Sequence, residues 1–146
     1  MSEHIYKSHN KTLLLYHLVF PSKYRKEIFS LAVEKSLKET CLGISKRYEI
    51  HFVEIGLEED HVHFLVQSIP RLSVERIVTI IKSVTARQIF LIHPEVKKEL
   101  WGGSLWTSGY YSNTVGQYAS EEIIKRYVVN QGQYKKLYSG QLYLEL

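Results

Sequence analysis

The sequence lacks several features that mark special classes of protein. Only one of its 146 residues, Cys41, is a cysteine. An internal disulfide is therefore excluded, and we predict that Cys41 is a small buried hydrophobic residue. The chain has no apolar run long enough to cross a bilayer, and Met1 to His4 do not begin a secretory signal. We therefore expect a cytoplasmic protein with no membrane partner.

A strong excess of charge is also missing. The 19 Lys and Arg residues against 15 Asp and Glu residues give a net charge of +4, which permits a polyanionic partner without requiring one. Aromatic residues are more plentiful, with 11 tyrosines, and aromatic rings near basic residues can stack on unpaired bases. A chain of 146 residues can bury a real core, and we predict one domain over residues 1–146.

Hydrophobic periodicity predicts an alternation of strands and helices. The predicted strands cover residues 11–20, 50–57, 61–67 and 104–112. Apolar residues at three- and four-residue spacing predict helices over 25–48, 73–93 and about 119–134. The simplest fold for this order is an α+β, ferredoxin-like (RRM-like) antiparallel sheet, strand-helix-strand-strand-helix-strand, with a C-terminal helix appended. Its first and third strands lie in the middle, and two helices cover one face.

The third predicted strand has two different faces. Successive side chains of a strand point to opposite sides, so His61 and His63 share one face while Val62, Phe64 and Val66 share the other. If the apolar face packs against the two helices, the imidazoles face the open side, where only the closing helix can cover them. Two neighbouring imidazoles can share one divalent metal ion.

The closing helix offers two more polar groups. Tyr127 and Gln131 are four residues apart, so a phenol and an amide oxygen are presented at one place. Two imidazoles and an amide oxygen suit Mg²⁺ or Mn²⁺ bound to a phosphate, which a nearby phenol can attack. The ordinary interpretation of each residue alone is a core-edge or solvated side chain. Tyr134, Tyr138 and Tyr143 are rivals to Tyr127, and of these only Tyr134 shares the face of Gln131.

Five blocks of sequence point to a known family. In order they are Tyr16 to Phe20 with Lys23 to Arg25, Asp60 to Val66, Ile81 to Ser83, Leu105 to Tyr111 with Thr114 to Gly116, and Ile124 to Gln131. With these blocks the chain resembles the single-tyrosine HUH transposases of the insertion sequence 200/605 family. One departure is Ser83, where relatives often have glycine.

The resemblance implies a chemistry and a set of partners. It implies that Tyr127 attacks a phosphodiester of single-stranded DNA, leaving a 5′-phosphotyrosine and a free 3′-hydroxyl. His61, His63 and Gln131 are implied as ligands of the divalent ion, Mg²⁺ or Mn²⁺. The family acts as homodimers that bind imperfect DNA hairpins near the ends of the element. Phosphate contact is a minor interpretation for four basic residues, which are Lys23, Arg25, Lys82 and Arg87.

Two alternatives use parts of the same pattern. Replication initiators and relaxases share the HUH chemistry but carry longer chains and extra domains. A non-catalytic module of RRM-like fold would bind single-stranded nucleic acid by stacking bases on strand aromatics, here Tyr16, Phe20, Tyr110 and Tyr111. That module has no use for a combination of two histidines, a tyrosine and a glutamine.

Overall fold

The computed structural model describes residues 4–7 and 10–116. Within these ranges the strands are β1 Ile5–Lys7, β2 Asn10–Thr12, β3 Leu14–Pro21, β4 His51–Leu57, β5 His61–Ser68 and β6 Tyr111–Val115. The α-helices there are α1 Leu31–Arg47, α2 Val74–Ile92 and α3 Pro94–Glu99. The predicted closing helix, with Tyr127 and Gln131, lies outside the described residues. No helix of the described ranges is long and apolar enough to cross a membrane.

The main sheet has the predicted topology. Its strand order is β4-β5-β3-β6, and every neighbouring pair is antiparallel. The middle strands, β3 and β5, are the first and third strands of the predicted ferredoxin-like pattern, which is confirmed. β1 and β2 form a separate two-stranded ribbon. Hydrophobic periodicity did not predict it, because strands of three residues each are too short to show a period.

The helices cover the apolar face of this sheet. Three side chains of β5 are completely buried there, namely Val62, Phe64 and Val66. The Phe64 ring lies 5.1 Å from that of Phe20 on β3, and the Lys82 ammonium of α2 lies 5.4 Å from the Phe20 ring. His61 and His63 point to the other side of β5 and are half-buried. The predicted division into an apolar face, which the helices cover, and a second face that carries His61 and His63 is therefore confirmed. We call this second face the histidine face.

Helix α1 begins later than its periodicity suggested. Residues 23–25 form a short 3-10 turn, and Tyr24 and Arg25 have φ angles of 59° and 52°. An α-helix cannot pass through that left-handed conformation. The helix begins after Ser30, whose hydroxyl accepts a hydrogen bond from the Val33 amide at 3.3 Å. Cys41 on α1 is fully buried, as predicted, and burial raises the pKa of its thiol.

Helix α2 begins where the sequence predicted it. Ser73 caps it by accepting a hydrogen bond from the Arg76 amide at 3.0 Å. The helix ends at His93, as predicted, because Pro94 cannot continue it. Pro94 instead begins the short helix α3, since proline favours a first helical position. The sequence prediction had a loop there.

The fourth strand of the sheet begins later than the predicted residues 104–112. Leu105 and Trp106 are buried in a loop, and the strand β6 begins only at Tyr111. The Trp106 indole donates a hydrogen bond to the Thr85 hydroxyl of α2 at 3.0 Å. The Thr107 amide donates to the Pro21 carbonyl at 3.1 Å. Trp106, one of the aromatic residues that suggested a strand, thus packs a loop onto the core, and this loop runs beside the end of β3.

Candidate active site

The centre of the site is the pair of imidazoles at the start of β5. The Nε2 atoms of His61 and His63 lie 3.1 Å apart, and the two rings meet at 67°. His61 faces Pro21 and His63 faces Val19 across the ladder with β3. Because the two residues are separated by Val62 on one straight strand, the backbone itself brings the two nitrogens together.

A carboxylate orients the first imidazole. The Nδ1 atom of His61 lies 2.8 Å from Oδ1 of Asp60, and Oδ2 of Asp60 accepts a hydrogen bond from Arg25 Nε at 3.0 Å. These hydrogen bonds, that of His61 first and that of Arg25 second, lower the pKa of the Asp60 carboxyl. An ionised Asp60 accepts this hydrogen bond, which places a proton of His61 on Nδ1. The lone pair of His61 Nε2 is then directed toward His63.

A third histidine, His17 on β3, supports the second imidazole. Its ring stacks on that of His63, with centroids 5.5 Å apart and planes at 13°, and its Nε2 lies 3.3 Å from His63 Nδ1. The Tyr111 ring packs edge-on against His17 at 6.3 Å. Burial, followed by the repulsion that His61 and His17 would exert if protonated, lowers the pKa of His63. His63 is therefore held neutral, the form in which an imidazole ligates a metal.

The geometry of the pair fits a divalent metal ion. Two ligand atoms about 2.1 Å from one ion and roughly at right angles to each other are about 3 Å apart, which matches the 3.1 Å between the Nε2 atoms. The contacts at the other ring nitrogens are those that orient metal-binding histidines. No group of three or more His, Cys, Asp or Glu in residues 4–7 and 10–116 is arranged to hold a metal. His17 faces Nδ1 of His63, which is the ring nitrogen turned away from His61.

Sequence reasoning missed His17 and Asp60 as parts of this site. Both lie in the blocks that carried the family resemblance, but neither was given a role. The predicted strand over residues 11–20 was not divided into two faces, so the position of His17 on the face of His61 and His63 was overlooked. The signal was present in the alternation of β3, where His17, Val19 and Pro21 share one face.

The four basic residues proposed for phosphate contact lie in different surroundings. Arg25 reaches the site through Asp60, and Lys23 lies beside the Tyr24 ring at 5.3 Å. Lys82 donates to the carbonyls of Thr107 and Gly109 at 2.8 and 2.9 Å, and burial lowers its pKa. Its ammonium thus fastens the 104–110 loop to α2.

Arg87 is not brought to the histidines. It lines a cleft of about 400 Å³ between α1 and α2, together with Arg47 and Tyr48. This cleft lies on the helical side of the sheet, opposite the imidazole pair. Whether any of the four basic residues contacts phosphate remains a prediction.

The aromatic residues of the alternative binding module are only partly available. Phe20 is completely buried and therefore cannot stack on a base, and Tyr16 is half-buried and packs against the core on the helix-covered face. For Phe20 the alternative is wrong, because this residue belongs to the core face of β3. Tyr110 and Tyr111 are exposed, by 41% and 55%. Tyr127 and Gln131 lie outside the described residues.

Comparison with known proteins gives a consistent result. Residues 10–131 match the family described as "Transposase IS200 like". The ISDra2 transposase TnpA of Deinococcus radiodurans is 30% identical over 118 residues, which are 81% of this chain and 84% of the relative. The transposase for insertion sequence element IS200 of Salmonella typhimurium is 23% identical over 124 residues, covering 85% and 80% of the two chains.

Solved structures share the fold. A crystal structure of a protein assigned as a transposase from Deinococcus radiodurans R1 superimposes with a TM-score of 0.71 at 28% identity, covering 87% of this chain and 97% of that one. The structure of a REP-associated tyrosine transposase bound to a REP hairpin superimposes with a TM-score of 0.54 at 9% identity. That match covers 92% of this chain and 74% of the other, and at such low identity it shows the fold alone.

Proposed function

Because this chain belongs to the IS200-like transposase family, we propose that it cuts and rejoins single-stranded DNA at the ends of an insertion sequence through a 5′-phosphotyrosine on Tyr127. The observation that carries the proposal is the imidazole pair. Its Nε2 atoms lie 3.1 Å apart, and Asp60 and His17 hold the two rings. An RRM-like binding module gains nothing from this arrangement.

The proposed metal site combines His61 and His63 with the amide oxygen of Gln131. These nitrogen and oxygen donors suit Mg²⁺ or Mn²⁺. When bound, the divalent ion polarises and positions the scissile phosphodiester. Asp60 keeps the His61 proton on Nδ1, and His17 supports His63, so both Nε2 lone pairs remain available to a metal ion.

Tyr127 is the proposed nucleophile. The phenol gives up its proton as its oxygen bonds to phosphorus, the bond from phosphorus to the 3′-oxygen breaks, and the leaving oxygen takes up a proton as a 3′-hydroxyl. Rejoining is the reverse, with a free 3′-hydroxyl displacing the tyrosine. A phenol with a pKa near ~10 is protonated at neutral pH, so its position beside the phosphate must supply the activation.

A label on either end of the DNA tests this assignment. The substrate is a single strand that carries the end of the element from the DNA flanking the gene, incubated with Mg²⁺. A 5′-phosphotyrosine retains the downstream fragment, so a 3′-terminal label stays on the protein and a 5′-terminal label is released. Tyr127→Phe should form no adduct. If that variant still forms one while Tyr134→Phe does not, the nucleophile is Tyr134.

We also propose that the protein recognises DNA hairpins as a homodimer. The REP-associated transposase of similar fold was solved bound to a REP hairpin, and the family resemblance implies the dimer. Gly116 is exposed, and a Cβ added to it would meet no atom within 4 Å, so no side chain restricts the backbone at this position. Dimers that mix His61→Ala with Tyr127→Phe subunits should recover cleavage if the segment that carries Tyr127 serves the partner's site. If the mixed dimers stay inactive, that segment serves the site of its own subunit.

A further inference from the structure

Two exposed aromatic side chains lie together outside the metal site. The rings of Tyr24 and Trp101 are 5.3 Å apart at an angle of 54°, and the residues are 58% and 73% exposed. Single exposed aromatic residues are common and need no explanation. Two in contact form a continuous apolar surface, the kind of feature that marks a binding site for a ligand or a macromolecule.

Cations surround the two rings. The Lys23 ammonium lies 5.3 Å from the Tyr24 ring centre, and the Lys26 ammonium lies 5.1 Å from that of Trp101. Arg25, between these lysines, is exposed as well. Aromatic surface bordered by positive charge matches a nucleotide, which combines a flat base with an anionic phosphate. We call Tyr24, Trp101, Lys23 and Lys26 the aromatic patch.

The backbone of the aromatic patch is held in an unfavourable conformation. In the described chain the non-glycine residues with positive φ are Tyr24 at 59°, Arg25 at 52° and Trp101 at 55°. Such angles persist only where neighbouring structure enforces them, and they concentrate at ligand-binding sites.

Buried neighbours supply that enforcement. The Lys23 amide donates to the carbonyl of Leu105 at 2.8 Å, and Leu105 is completely buried. Trp101 directly follows Leu100, which is also completely buried. The rings are thus presented by anchored backbone, so little ordering remains when a ligand binds.

The aromatic patch is connected to the imidazole pair. Arg25, which follows Tyr24, donates to Asp60 at 3.0 Å, and Asp60 contacts His61 at 2.8 Å. A DNA strand that has a phosphate at the histidines therefore lies near an aromatic surface, because Arg25 and Asp60 connect that surface to His61.

We propose that the aromatic patch binds an unpaired nucleotide of the DNA strand that the imidazole pair holds. The base stacks on Trp101 and Tyr24, and the lysines contact the flanking phosphates. Stacking of this kind tolerates any base, since every base has a π-face. The proposal rests on the proposed function for its substrate, but its binding step does not need the cleavage chemistry.

Affinity for fluorescein-labelled oligothymidylate, which does not form hairpins, tests the proposal by anisotropy in excess chelator. Trp101→Gly and Tyr24→Gly should each weaken binding roughly 5- to 150-fold, the range for loss of one base–aromatic stack. Glycine accepts positive φ without strain, so these variants relieve the backbone and loss of folding is not expected. Trp101→Phe should keep most of the affinity. Tyr6→Leu, an exposed tyrosine of the N-terminal ribbon, is the matched control.

Tryptophan emission gives a second readout. The chain has 2 tryptophans, and Trp106 is buried with its indole bound to Thr85. Oligothymidylate should therefore quench the Trp101 emission of the wild type, and this quenching should be absent from Trp101→Phe. No quenching of the wild type would overturn the proposal.

Unchanged oligothymidylate affinity of both glycine variants would also overturn it. The same holds if those variants alter only the oligomeric state, because the patch would then be a contact between protein chains. The covalent adduct of Tyr127 is scored separately. Adduct formation with unaffected glycine variants removes the patch and leaves the proposed function standing. Patch-dependent binding without any adduct supports the patch and removes the proposed cleavage.

Discussion

The helix-covered face and the histidine face of the sheet differ in what holds their side chains. On the covered face, Phe64 is completely buried, and burial of such a side chain stabilises the fold by roughly 1.5–3 kcal/mol. On the histidine face, His61 and His63 stay half-buried and are held by contacts of 2.8 and 3.3 Å to Asp60 and His17. Hydrogen bonds at such a partly exposed site stabilise the fold less than the burial of an aromatic side chain does. One face thus provides stability, and the other keeps its nitrogens accessible.

The histidine face itself changes along β5. Its first positions, His61 and His63, are half-buried, whereas Leu65 and Gln67 farther along the same face are 2% and 1% exposed. Polar chemistry is thus confined to the end of the strand near the Asp60 turn. Substitutions at that end should affect activity, and substitutions on the covered face should affect folding.

Loss of either imidazole should give the largest effect. His61→Ala or His63→Ala should reduce adduct formation on the order of 10³-fold, because one of the two adjacent nitrogens proposed to bind the metal is gone. The free energy of unfolding should fall by less than about 1.5 kcal/mol, since only hydrogen bonds at a half-buried site are lost. Adduct assays and urea unfolding measure the two quantities. Full cleavage by the wild type in excess chelator would contradict the metal role.

The reverse pattern is expected at Phe64. Phe64→Ala should lower the free energy of unfolding by about 3–5 kcal/mol, because it opens a cavity among completely buried side chains. Phe64→Leu, which fills more of the space, should cost less. Where enough protein stays folded, the adduct formed per folded molecule should match that of the wild type. A loss of stability below about 1 kcal/mol would show that the covered face is not the main source of stability.

An intermediate effect is expected at Asp60, which contacts the proposed ligand His61 at 2.8 Å. Asp60→Asn keeps the size of the side chain but weakens the hydrogen bond that holds the proton of His61 on Nδ1. The divalent-ion concentration for half-maximal cleavage should rise about 10- to 100-fold, as for other contacts that orient a metal-binding histidine. Saturating ion should restore much of the rate. Glu59→Gln, an exposed neighbour in the same turn, should leave the ion dependence unchanged.

The covered face was largely predictable from the sequence, and the loops were not. Alternation on β5 and helical spacing on α1 and α2 follow directly from burial, so periodicity reveals them. Leu105 and Trp106 are equally buried, but a loop carries them, and burial without a period resembles a strand. The start of α1 was misplaced because the positive φ angles of Tyr24 and Arg25 are imposed by tertiary contacts.

The histidine face was predictable only in part. The imidazole pair came from a local pattern, since His61 and His63 are two residues apart on one strand. His17 is 46 residues from His63 in sequence, and only the β3–β5 register brings the two together. Tertiary pairing of this kind leaves no local signal beyond the alternation of each strand.

His51 lies toward the sealed end of the histidine face, where Leu65 and Gln67 are buried. Its substitution should have the smallest effect, and on stability alone. His51 pairs with Gln67 in the ladder. Within the described chain its Nδ1 is buried without a hydrogen-bond partner. Burial lowers its pKa, Lys7 lowers it further and Glu49 opposes this. Neutral His51 is therefore the form that fits the folded protein.

The sign of the pH dependence follows from linkage. The folded-state pKa of His51 lies below the unfolded value near ~6.5, so on acidification the unfolded chain takes up the proton first. The stability contribution is present above about pH 6.5 and is lost as the pH falls through the folded-state pKa. The urea midpoint should thus fall further between about pH 7.5 and about pH 5.5 in the wild type than in His51→Gln, which cannot titrate. Adduct formation by His51→Gln should equal that of the wild type, in contrast to His63→Ala. A loss of cleavage there would mean that the sealed end also takes part in catalysis, and that the division along β5 is wrong.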